Sequence, residues 1–404
     1  MCSSDLKIAF LTAGGIAPCL SASIGFLIKE YRMLNPNANT EFIGYLHGYR
    51  GLLTGTSIPF PPDTLYSTDV LLSYGGSPIG NSRVKLTNTE DCIQKGYVPK
   101  GDNPVAVAAE QLKKDDVKIL HTIGGDDTNK MAGELADYLS NQGIELTIVG
   151  MPKTVDNDVY PIHQTLGAAT AAEQTAVYFE NIANENTTSS RHLIIHEIMG
   201  RNCGWLTAAA ANKYRVRLDK KEFLPELLLE KNRWDIDAIY IPEMDMNFKS
   251  ECERLLERMD EKDSINIFLS EGAGTETIVR EIEASGQEVV RDAFGHVALD
   301  TLNPGEWFAK QFQKNLNADK VLVQKSGYFA RSASPNREDL DLIGRSAVCA
   351  TKSAMAGKSG VVGLDEENNN EISLIPFERI RGGKPFNINQ EWFQEMLKEI
   401  GQTL

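Results

Sequence analysis

Short apolar runs alternate with stretches of helical periodicity along most of the chain. The run KIAFLTAGG at 7–15 precedes a predicted helix near 21–33. The run VKILHTIGGDDT at 117–128 precedes a helix in which apolar residues recur every fourth position from Met131. Apolar strands followed by helices are typical of βα units. The pattern therefore predicts an α/β protein.

Five further apolar runs repeat this unit, and each ends in a polar turn. They lie at 145–158, 192–205, 238–245, 266–274 and 321–332. Strands separated by helices form mainly parallel sheets with right-handed crossovers, and such sheets bind ligands beyond the carboxyl ends of their strands. Because the polar turns lie at those ends, the pattern predicts a binding site formed by them.

Chain length and composition restrict the class of protein. A chain of 404 residues exceeds the size at which a single core usually stops growing, which predicts two lobes. The net charge of −15 argues against a nucleic-acid partner, which would need clustered cations. No apolar run is long enough to cross a bilayer, so no membrane partner is expected. Six scattered cysteines without a CxxC pair, and an N-terminus without a signal peptide, predict a cytoplasmic protein.

The apolar run at 117–128 ends in two glycines and two acids, in the motif GGDDT at 124–128. Glycines after a buried strand let the backbone approach a polyanion, and the helix start offers free N–H groups to phosphate oxygens. Adjacent carboxylates would repel a phosphate unless a divalent cation lay between, and Mg²⁺ prefers oxygen ligands. Asp126 and Asp127 therefore indicate either a magnesium site or an acid-rich helix cap, and this motif alone does not decide between them.

The motif PKTVDND lies at 152–158, at the end of the next predicted strand. It contains a lysine, a threonine, two aspartates and an asparagine, with a single valine among them. It supplies a cation, hydrogen-bond donors and a candidate base within a short turn. Phosphoryl transfer depends chiefly on positioning and charge neutralisation, which this mixture provides. The sequence has no GxSxG elbow, HExxH helix or P-loop lysine motif. Phosphoryl transfer is thus favoured over Ser–His hydrolysis, with an ordinary polar loop as the alternative.

Seven blocks together resemble the phosphofructokinase family over nearly the whole chain. They are, in order, TAGG (12–15), GGSPIGNSRVK (75–85), GGDDT, PKTVDND, MGR (199–201), SEGAG (270–274) and GYFARS (327–332). The resemblance implies the phosphofructokinase fold, with two Rossmann-like three-layer lobes, mainly parallel sheets and a cleft between the lobes. It implies a larger lobe of 1–165 and 326–375 that binds the phosphoryl donor and Mg²⁺. The smaller lobe, 166–325 and 376–404, would bind a sugar phosphate.

The resemblance also assigns the donor side of the reaction. Asp156 matches the family's catalytic base, which takes the proton from the sugar 1-hydroxyl as that oxygen attacks phosphorus. Arg83 matches an arginine that bridges donor and acceptor, and Asp126 with Asp158 match positions associated with Mg²⁺. The other donor-side positions are Gly14, Gly15, Lys85, Gly125, Asp127 and Lys153, of which Lys153 is also expected to take part in catalysis.

The acceptor side is assigned in the same way. The positions that match the family's contacts to fructose 6-phosphate are Thr154, Met199, Gly200, Arg201, Glu271, Tyr328 and Arg331. His192 falls where the family often has an arginine that reaches the sugar phosphate across a subunit interface, and Lys325 is either a substitute for it or a surface lysine. A homodimer is expected because the sugar site borrows such a residue.

Two departures from the family's ATP-using pattern predict pyrophosphate as the donor. ATP users resemble GGDGS or GGDGT at the first motif, whereas this chain has Asp127 in place of the small residue that follows the first acid. ATP users also have glycine at the position of Lys153. A carboxylate there would occupy the space of the nucleotide's α-phosphate and repel its charge by roughly 1–4 kcal/mol at ~4 Å. Lys153 then offers a positive charge to pyrophosphate. The predicted reaction forms fructose 1,6-bisphosphate and phosphate reversibly, in glycolysis and gluconeogenesis.

Alternatives remain at this stage. An ATP-dependent 6-phosphofructokinase would share the fold, and so would a non-catalytic regulatory subunit, although the intact Asp126, Asp156 and Arg201 argue against the latter. An NAD kinase shares a GGD-type turn but gives no reason for MGR, SEGAG or GYFARS. The use of sedoheptulose 7-phosphate as a second sugar, and allosteric control, stay open.

Overall fold

The computed structural model describes residues 6–34, 40–286, 288–290 and 302–403. The chain forms two compact units. Unit 1 comprises Met1–Thr170 with Arg331–Lys384, and unit 2 comprises Ala171–Ala330 with Pro385–Leu404. The chain thus passes between units after residues 170, 330 and 384, whereas the sequence predicted changes of lobe after 165, 325 and 375.

Eleven strands, numbered in chain order, form two sheets within the described residues. They are β1 (Leu6–Thr12), β2 (Thr40–Tyr45), β3 (Ser57–Pro59), β4 (Ile119–Gly124), β5 (Thr147–Pro152), β6 (His192–Ile198), β7 (Ala238–Tyr240), β8 (Ser264–Ser270), β9 (Lys320–Lys325), β10 (Gly360–Asp365) and β11 (Glu371–Ile375). Each of the seven apolar runs found in the sequence overlaps one strand. The strands β2, β3, β10 and β11 are additional.

The sheet of unit 1 has the order β11-β10-β5-β4-β1-β2-β3. Its five inner strands pair in parallel, and only the edge strands β3 and β11 are antiparallel to their neighbours. The sheet of unit 2, β7-β8-β6-β9, is parallel throughout. The predicted α/β class with mainly parallel sheets is confirmed.

Fourteen α-helices connect or flank these strands in the described residues. They are Leu20–Leu34, Tyr49–Thr54, Thr89–Gln94, Pro104–Lys114, Asp126–Asn141, Ala168–Ile182, Trp205–Leu218, Lys231–Trp234, Phe248–Lys262, Thr275–Ala284, Pro304–Asn315, Gly327–Arg331, Arg337–Met355 and Glu391–Glu399. Short 3₁₀ segments lie at Pro62–Tyr66, Thr68–Ser73, Ala183–Thr187, Pro225–Leu227, Glu366–Asn368 and Phe377–Arg379. None of these helices is both long and apolar enough to cross a membrane.

The helix Asp126–Asn141 shows how periodicity determines packing in unit 1. Met131, Leu135 and Leu139 are four residues apart, so they lie on one face of the helix, and all three are buried in a core that includes Leu120 of β4. The strand β4 is itself buried at every residue. Parallel strands covered on both faces are rich in apolar residues, and Ile119, Leu120 and Ile123 made this run recognisable in the sequence despite the buried His121 and Thr122.

Strand register brings the polar turns together at one edge of each sheet. In unit 1, Thr12 of β1 pairs beside Ile123 of β4, and Gly124 pairs with Pro152 of β5. The turns that follow β1, β4 and β5 therefore start at the same level. In unit 2, the ends of β6, β8 and β9 are aligned in the same way.

Candidate active site

The glycine turn after β1 is fixed from two sides within unit 1. Gly14 has a φ of +82°, which favours glycine. Its N–H donates to the carbonyl of Ser82 at 2.9 Å, and the side-chain amide of Asn81 donates to the carbonyls of Gly14 and Gly15 at 3.4 and 3.3 Å. The Lys153 ammonium donates to the Gly15 carbonyl at 2.6 Å. The turn is thus held between the segment 75–85 and the motif 152–158.

Three cationic side chains surround this turn. A Cβ atom built on Gly14 would lie 3.1 Å from Nζ of Lys153. A Cβ atom built on Gly15 would lie 3.6 Å from Nη1 of Arg331 and 4.0 Å from Nη2 of Arg83. The absence of side chains at both glycines leaves the backbone open to a ligand that these cations would attract. In a chain of net charge −15, they supply local positive charge of the kind that anion binding requires.

Lys153 is an unusually buried cation. Its residue is 5% exposed, and its backbone N–H donates to the Gly124 carbonyl at 2.8 Å, which places Gly125 beside it. Burial is the chief reason that the pKa of Lys153 falls to about 8, while Cys19 and Asp156 oppose the shift and the two arginines add to it. A fixed ammonium with little solvent around it interacts strongly with a bound anion.

The predicted base Asp156 lies in a loop that Asn157 links to the residues following it. Asn157 adopts a φ of +54° and is 3% exposed. Its amide donates to the His163 carbonyl at 3.0 Å and accepts from the Thr165 N–H at 2.8 Å. The Asp156 N–H donates to Oγ1 of Thr154 at 3.2 Å. The loop is therefore preorganised, and Thr154 and Asp156 are brought together within it.

Asp126 and Asp158 form the pair on which a magnesium site was predicted. The pKa of Asp158 is raised, first by burial and next by the negative charge of Asp126, whereas Thr154 and Lys384 oppose the rise. Two carboxylates that repel each other in this way favour a divalent cation between them. Neither at this pair nor anywhere else do the described residues contain a group of three or more His, Cys, Asp or Glu that could hold a metal without other ligands. Since Mg²⁺ is usually bound through one or two carboxylates and substrate phosphates, the pair fits a Mg²⁺–pyrophosphate ion.

Asp127 has a partner that the sequence did not predict. Its Oδ2 lies 2.5 Å from Nζ of Lys85, and the two side chains are 54% and 41% exposed. The carboxylate predicted to repel a nucleotide is therefore charge-compensated, and it holds one of the cations predicted to bind the donor.

Within unit 2, strand ends bring the MGR turn and Glu271 together. Gly200 has a φ of +137°, and its carbonyl accepts from Oγ of Ser270 at 2.5 Å. The Gly200 N–H donates to Oε1 of Glu271 at 3.4 Å, and the Glu271 N–H donates to the Ile198 carbonyl at 2.8 Å. A Cβ atom on Gly272 would lie only 1.8 Å from the carbonyl oxygen of Arg201. Gly272 is thus what lets these two turns pack closely.

Two further acceptor-side positions lie on the helix that follows β9, and of these Tyr328 belongs to unit 2 and Arg331 to unit 1. Gly327 packs against Met199, whose Sδ would lie 3.6 Å from a Cβ atom there, and the adjacent Tyr328 is 77% exposed. Tyr328 and Arg331 lie three residues apart on the helix Gly327–Arg331, so they share a face. The guanidinium of Arg331 itself lies beside the Gly15 turn of unit 1, although the resemblance assigns this residue to the acceptor side.

Lys325 and His192 differ in what they can contribute. Nζ of Lys325 lies 2.7 Å from Oε1 of Glu197, and the lysine side chain is 53% exposed at the end of β9. His192 is fully buried at the start of β6, where its Nδ1 is 2.8 Å from the Glu185 carbonyl. Its burial assigns His192 to the core, so a contact to a neighbouring subunit through this residue is not expected.

Two residues that the sequence pattern did not indicate contact the candidate site. Asn81 donates to the Gly14 and Gly15 carbonyls, and Gly382 packs against Asp126. Asn81 lies inside the block GGSPIGNSRVK, so the block itself was the available signal. Gly382 approaches Asp126 from a segment far along the chain, and no local pattern indicated it.

The chain is similar to known proteins over nearly its full length. The family model described as Phosphofructokinase matches residues 7–354. A relative from Methylomonas methanica is 54% identical over 396 residues, which are 98% of this chain and 96% of the relative. Relatives from Propionibacterium freudenreichii subsp. shermanii and Mastigamoeba balamuthi are 53% and 51% identical, each over 98% of this chain and over 98% and 96% of the relative. All three are named pyrophosphate–fructose 6-phosphate 1-phosphotransferase.

Solved structures support the fold at lower identity. A pyrophosphate-dependent phosphofructokinase from Marinobacter aquaeolei aligns with a TM-score of 0.70 and 18% identity, over 98% of this chain and 92% of that one. One from Nitrosospira multiformis aligns with a TM-score of 0.71 and 16% identity, over 99% and 92%. These two likenesses bear on the architecture alone.

Proposed function

This chain belongs to the phosphofructokinase family, and we propose that it transfers a phosphoryl group reversibly from pyrophosphate to the 1-hydroxyl of fructose 6-phosphate. The products are fructose 1,6-bisphosphate and phosphate, and the reverse reaction suits both glycolysis and gluconeogenesis. The observation that carries the proposal is the buried ammonium of Lys153 at the Gly14–Gly15 turn. The shared name of three relatives at 51–54% identity supports it.

The donor is proposed to bind at the glycine turn of unit 1. Lys153 and Arg83 would contact the oxygens of pyrophosphate, whose small size matches a turn with no side chain at either glycine. Positioned cations that face the charge developing on the leaving phosphate lower the barrier without reorganising during the reaction. Lys153 and Arg83 are therefore proposed as catalytic residues as well as binding residues.

Asp156 is the proposed general base. Its carboxylate takes the proton from the sugar 1-hydroxyl while that oxygen attacks phosphorus, and the phosphorus–oxygen bond to the leaving phosphate breaks. The loop that bears Asp156 is fixed by Asn157 and Thr154, so the carboxylate is held in place before the substrates bind. In the reverse direction, the same group returns the proton to the sugar oxygen.

Mg²⁺ is the proposed cofactor, held together with pyrophosphate by Asp126 and Asp158. When bound, it supplies positive charge that neutralises phosphate oxygens. The two carboxylates contribute by fixing where that charge lies, and the charge of Asp126 on Asp158 supports this assignment.

Fructose 6-phosphate is the proposed acceptor. In unit 2, Met199, Gly200 and Arg201 would contact the sugar phosphate, and Glu271 would accept hydrogen bonds from sugar hydroxyls. The 6-phosphate is assigned to Tyr328 and Arg331, and Thr154 is assigned to the sugar phosphate as well. The close packing of the MGR turn with Glu271 supports a shared role for them.

We propose that the chain forms a homodimer. The proposal rests on exposed leucines of unit 2 and not on His192, which is buried. Four leucines between residues 224 and 229 are exposed by 46%, 67%, 71% and 44%. The surrounding segment 220–231 has three lysines and three glutamates, so it is neutral within a chain of net charge −15. An apolar, neutral surface favours a second copy of the same chain. Light scattering should give twice 44.6 kDa, and Leu227→Glu should lower the mass to that of one chain.

A cytoplasmic location is proposed from the cysteines. Cys19, Cys92, Cys252 and Cys349 are free thiols, and the first three are buried. Buried free thiols suit a reducing compartment.

One assay tests the proposed activity. Purified protein is given fructose 6-phosphate and Mg²⁺ with either pyrophosphate or ATP at equal concentration, and fructose 1,6-bisphosphate is measured. The expected result is product with pyrophosphate, and formation of pyrophosphate when the bisphosphate and phosphate are supplied. A faster rate with ATP would favour the ATP-dependent alternative. No product with either donor would favour the regulatory subunit.

A further inference from the structure

The segment Arg381-Gly382-Gly383-Lys384, here called the RGGK segment, is attached to the loop that bears Asp158. Arg381 exchanges two backbone hydrogen bonds with Tyr160, at 2.8 and 3.0 Å. The Lys384 N–H donates to the Asp158 carbonyl at 2.9 Å. Both ends of the segment are thus fixed in unit 1 beside one of the two carboxylates assigned to Mg²⁺.

The middle of the same segment lies against the other carboxylate. A Cβ atom built on Gly382 would lie 2.0 Å from Oδ2, 2.6 Å from Cγ and 2.9 Å from Cβ of Asp126. The whole Asp126 side chain, and not only its tip, would have to move to admit a methyl group. Gly382 does not have a positive φ, so the requirement for glycine here is steric rather than conformational.

The lysine of the segment is anchored at its side chain too. Its Nζ donates to the Ile162 carbonyl and lies 3.1 Å from Oε1 of Glu366, and the side chain is 16% exposed. This anchor resists displacement of the segment away from Asp126. The RGGK segment also lies beyond residues 7–354, which the family model matches.

We propose that the RGGK segment is a wall of the Mg²⁺–pyrophosphate site and that Gly382 is a positioning residue, which acts by fixing the Asp126 carboxylate. The inference rests on the proposed function, because it concerns the same metal–pyrophosphate ion. A larger side chain at 382 displaces Asp126 and leaves the cations Lys153 and Arg83 in place. Metal-dependent affinity for pyrophosphate is then lost, while metal-independent affinity is kept.

The test measures pyrophosphate binding by calorimetry without sugar, once with Mg²⁺ and once with a chelator. For Gly382→Ala we expect at least a tenfold weaker affinity with Mg²⁺ and an unchanged affinity with the chelator. Adding Gly382→Ala to Asp126→Asn should cause no further loss. Gly143→Ala is the matched control, because Gly143 follows the helix that begins at Asp126 and has a positive φ and open space around it. That control should bind as the wild type does.

Other outcomes separate the two hypotheses. If wild-type protein converts fructose 6-phosphate with pyrophosphate and Gly382→Ala binds Mg²⁺–pyrophosphate as tightly as wild type, the inference about Gly382 is wrong and the proposed function stands. A loss that is equal with and without Mg²⁺ would also overturn it, since it would indicate general damage. If Gly382→Ala does not fold, Lys384→Met keeps the glycine and removes the anchor, and it should show the same Mg²⁺-specific loss. A wild-type protein that shows neither turnover nor binding would overturn the proposed function itself.

Discussion

Lys85 and Asp127 form an ion pair, with Nζ of the lysine 2.5 Å from Oδ2 of the aspartate. Both side chains are about half exposed, and pairs of this kind add only ~0–1 kcal/mol to stability. The pair therefore matters for position and not for folding. If Asp127 lies in the donor site as proposed, it fills space there and its charge is compensated by Lys85. The exclusion of a nucleotide would then come chiefly from volume.

Replacing both residues predicted to select the donor should change donor preference. In Asp127→Gly with Lys153→Gly, the volume at 127 and the buried ammonium at 153 are removed together. We expect kcat/KM for ATP to rise and kcat/KM for pyrophosphate to fall, which the coupled assay for the bisphosphate measures for both donors.

Asp127→Asn is the matched control for that experiment, because it removes the charge and keeps the volume. It should weaken pyrophosphate use, since Lys85 loses its partner, and it should not admit ATP. If the double variant kept the wild-type preference, or if Asp127→Asn alone used ATP well, the volume argument would be wrong.

Lys153 should make pyrophosphate use sensitive to alkaline pH. Its pKa is lowered to about 8, chiefly by burial. The enzyme without bound pyrophosphate therefore loses the ammonium as the pH rises through about 8, and kcat/KM for pyrophosphate, which reports that form, should fall by up to ~10-fold per pH unit above that value. Rates from pH 6 to 10 at saturating fructose 6-phosphate would show it.

Lys153→Arg separates this effect from the titration of pyrophosphate itself. Arginine stays charged throughout that range, so the variant should lose the fall assigned to the protein even if its absolute rate is lower. Identical pH profiles for the two proteins would assign the fall to the substrate and not to Lys153.

Much of the fold was predictable because buried parallel strands have a clear sequence pattern. The strand β10 was not recognised, since it begins at Gly360 and Gly363 interrupts its apolar residues, and glycine weakens a strand signal. The strand β3 is three residues long and ends in proline, which is permitted because it lies at the sheet edge.

The closeness of the motifs TAGG, GGDDT and PKTVDND was predictable for a related reason. The carboxyl ends of adjacent parallel strands meet, so motifs that follow β1, β4 and β5 had to lie together. Contacts between distant segments gave no such signal. Asp127 and Lys85, and Asp126 and Gly382, are joined only by the way the chain packs, and neither pair follows from spacing.

Asp156→Ser should remove the base while leaving the binding residues in place. We expect kcat to fall by roughly 10²–10⁴-fold, with small changes in KM for either substrate. Steady-state kinetics in both directions would measure it. Thr165→Ala is a useful comparison, because it removes the hydrogen bond from its hydroxyl to the Thr154 carbonyl, 2.8 Å long, and keeps the carboxylate. A wild-type kcat in Asp156→Ser would exclude Asp156 as the base.

His196 should make unit 2 sensitive to acid. The imidazole is fully buried in β6, it stacks on Phe179 with ring centroids 5.4 Å apart, and neither ring nitrogen has a hydrogen-bond partner among the described residues. Burial lowers its pKa from 6.5 to about 3. Because the unfolded chain binds the proton more readily between these two values, stability should fall as the pH drops through that window, by up to about 1.4 kcal/mol per pH unit.

His196→Phe keeps an aromatic ring for the stack and removes both the unpartnered nitrogens and the titration. Thermal unfolding of the two proteins should therefore show a higher Tm for the variant near neutral pH and a difference that widens towards pH 4, whereas a constant difference would show that His196 does not cause the acid sensitivity.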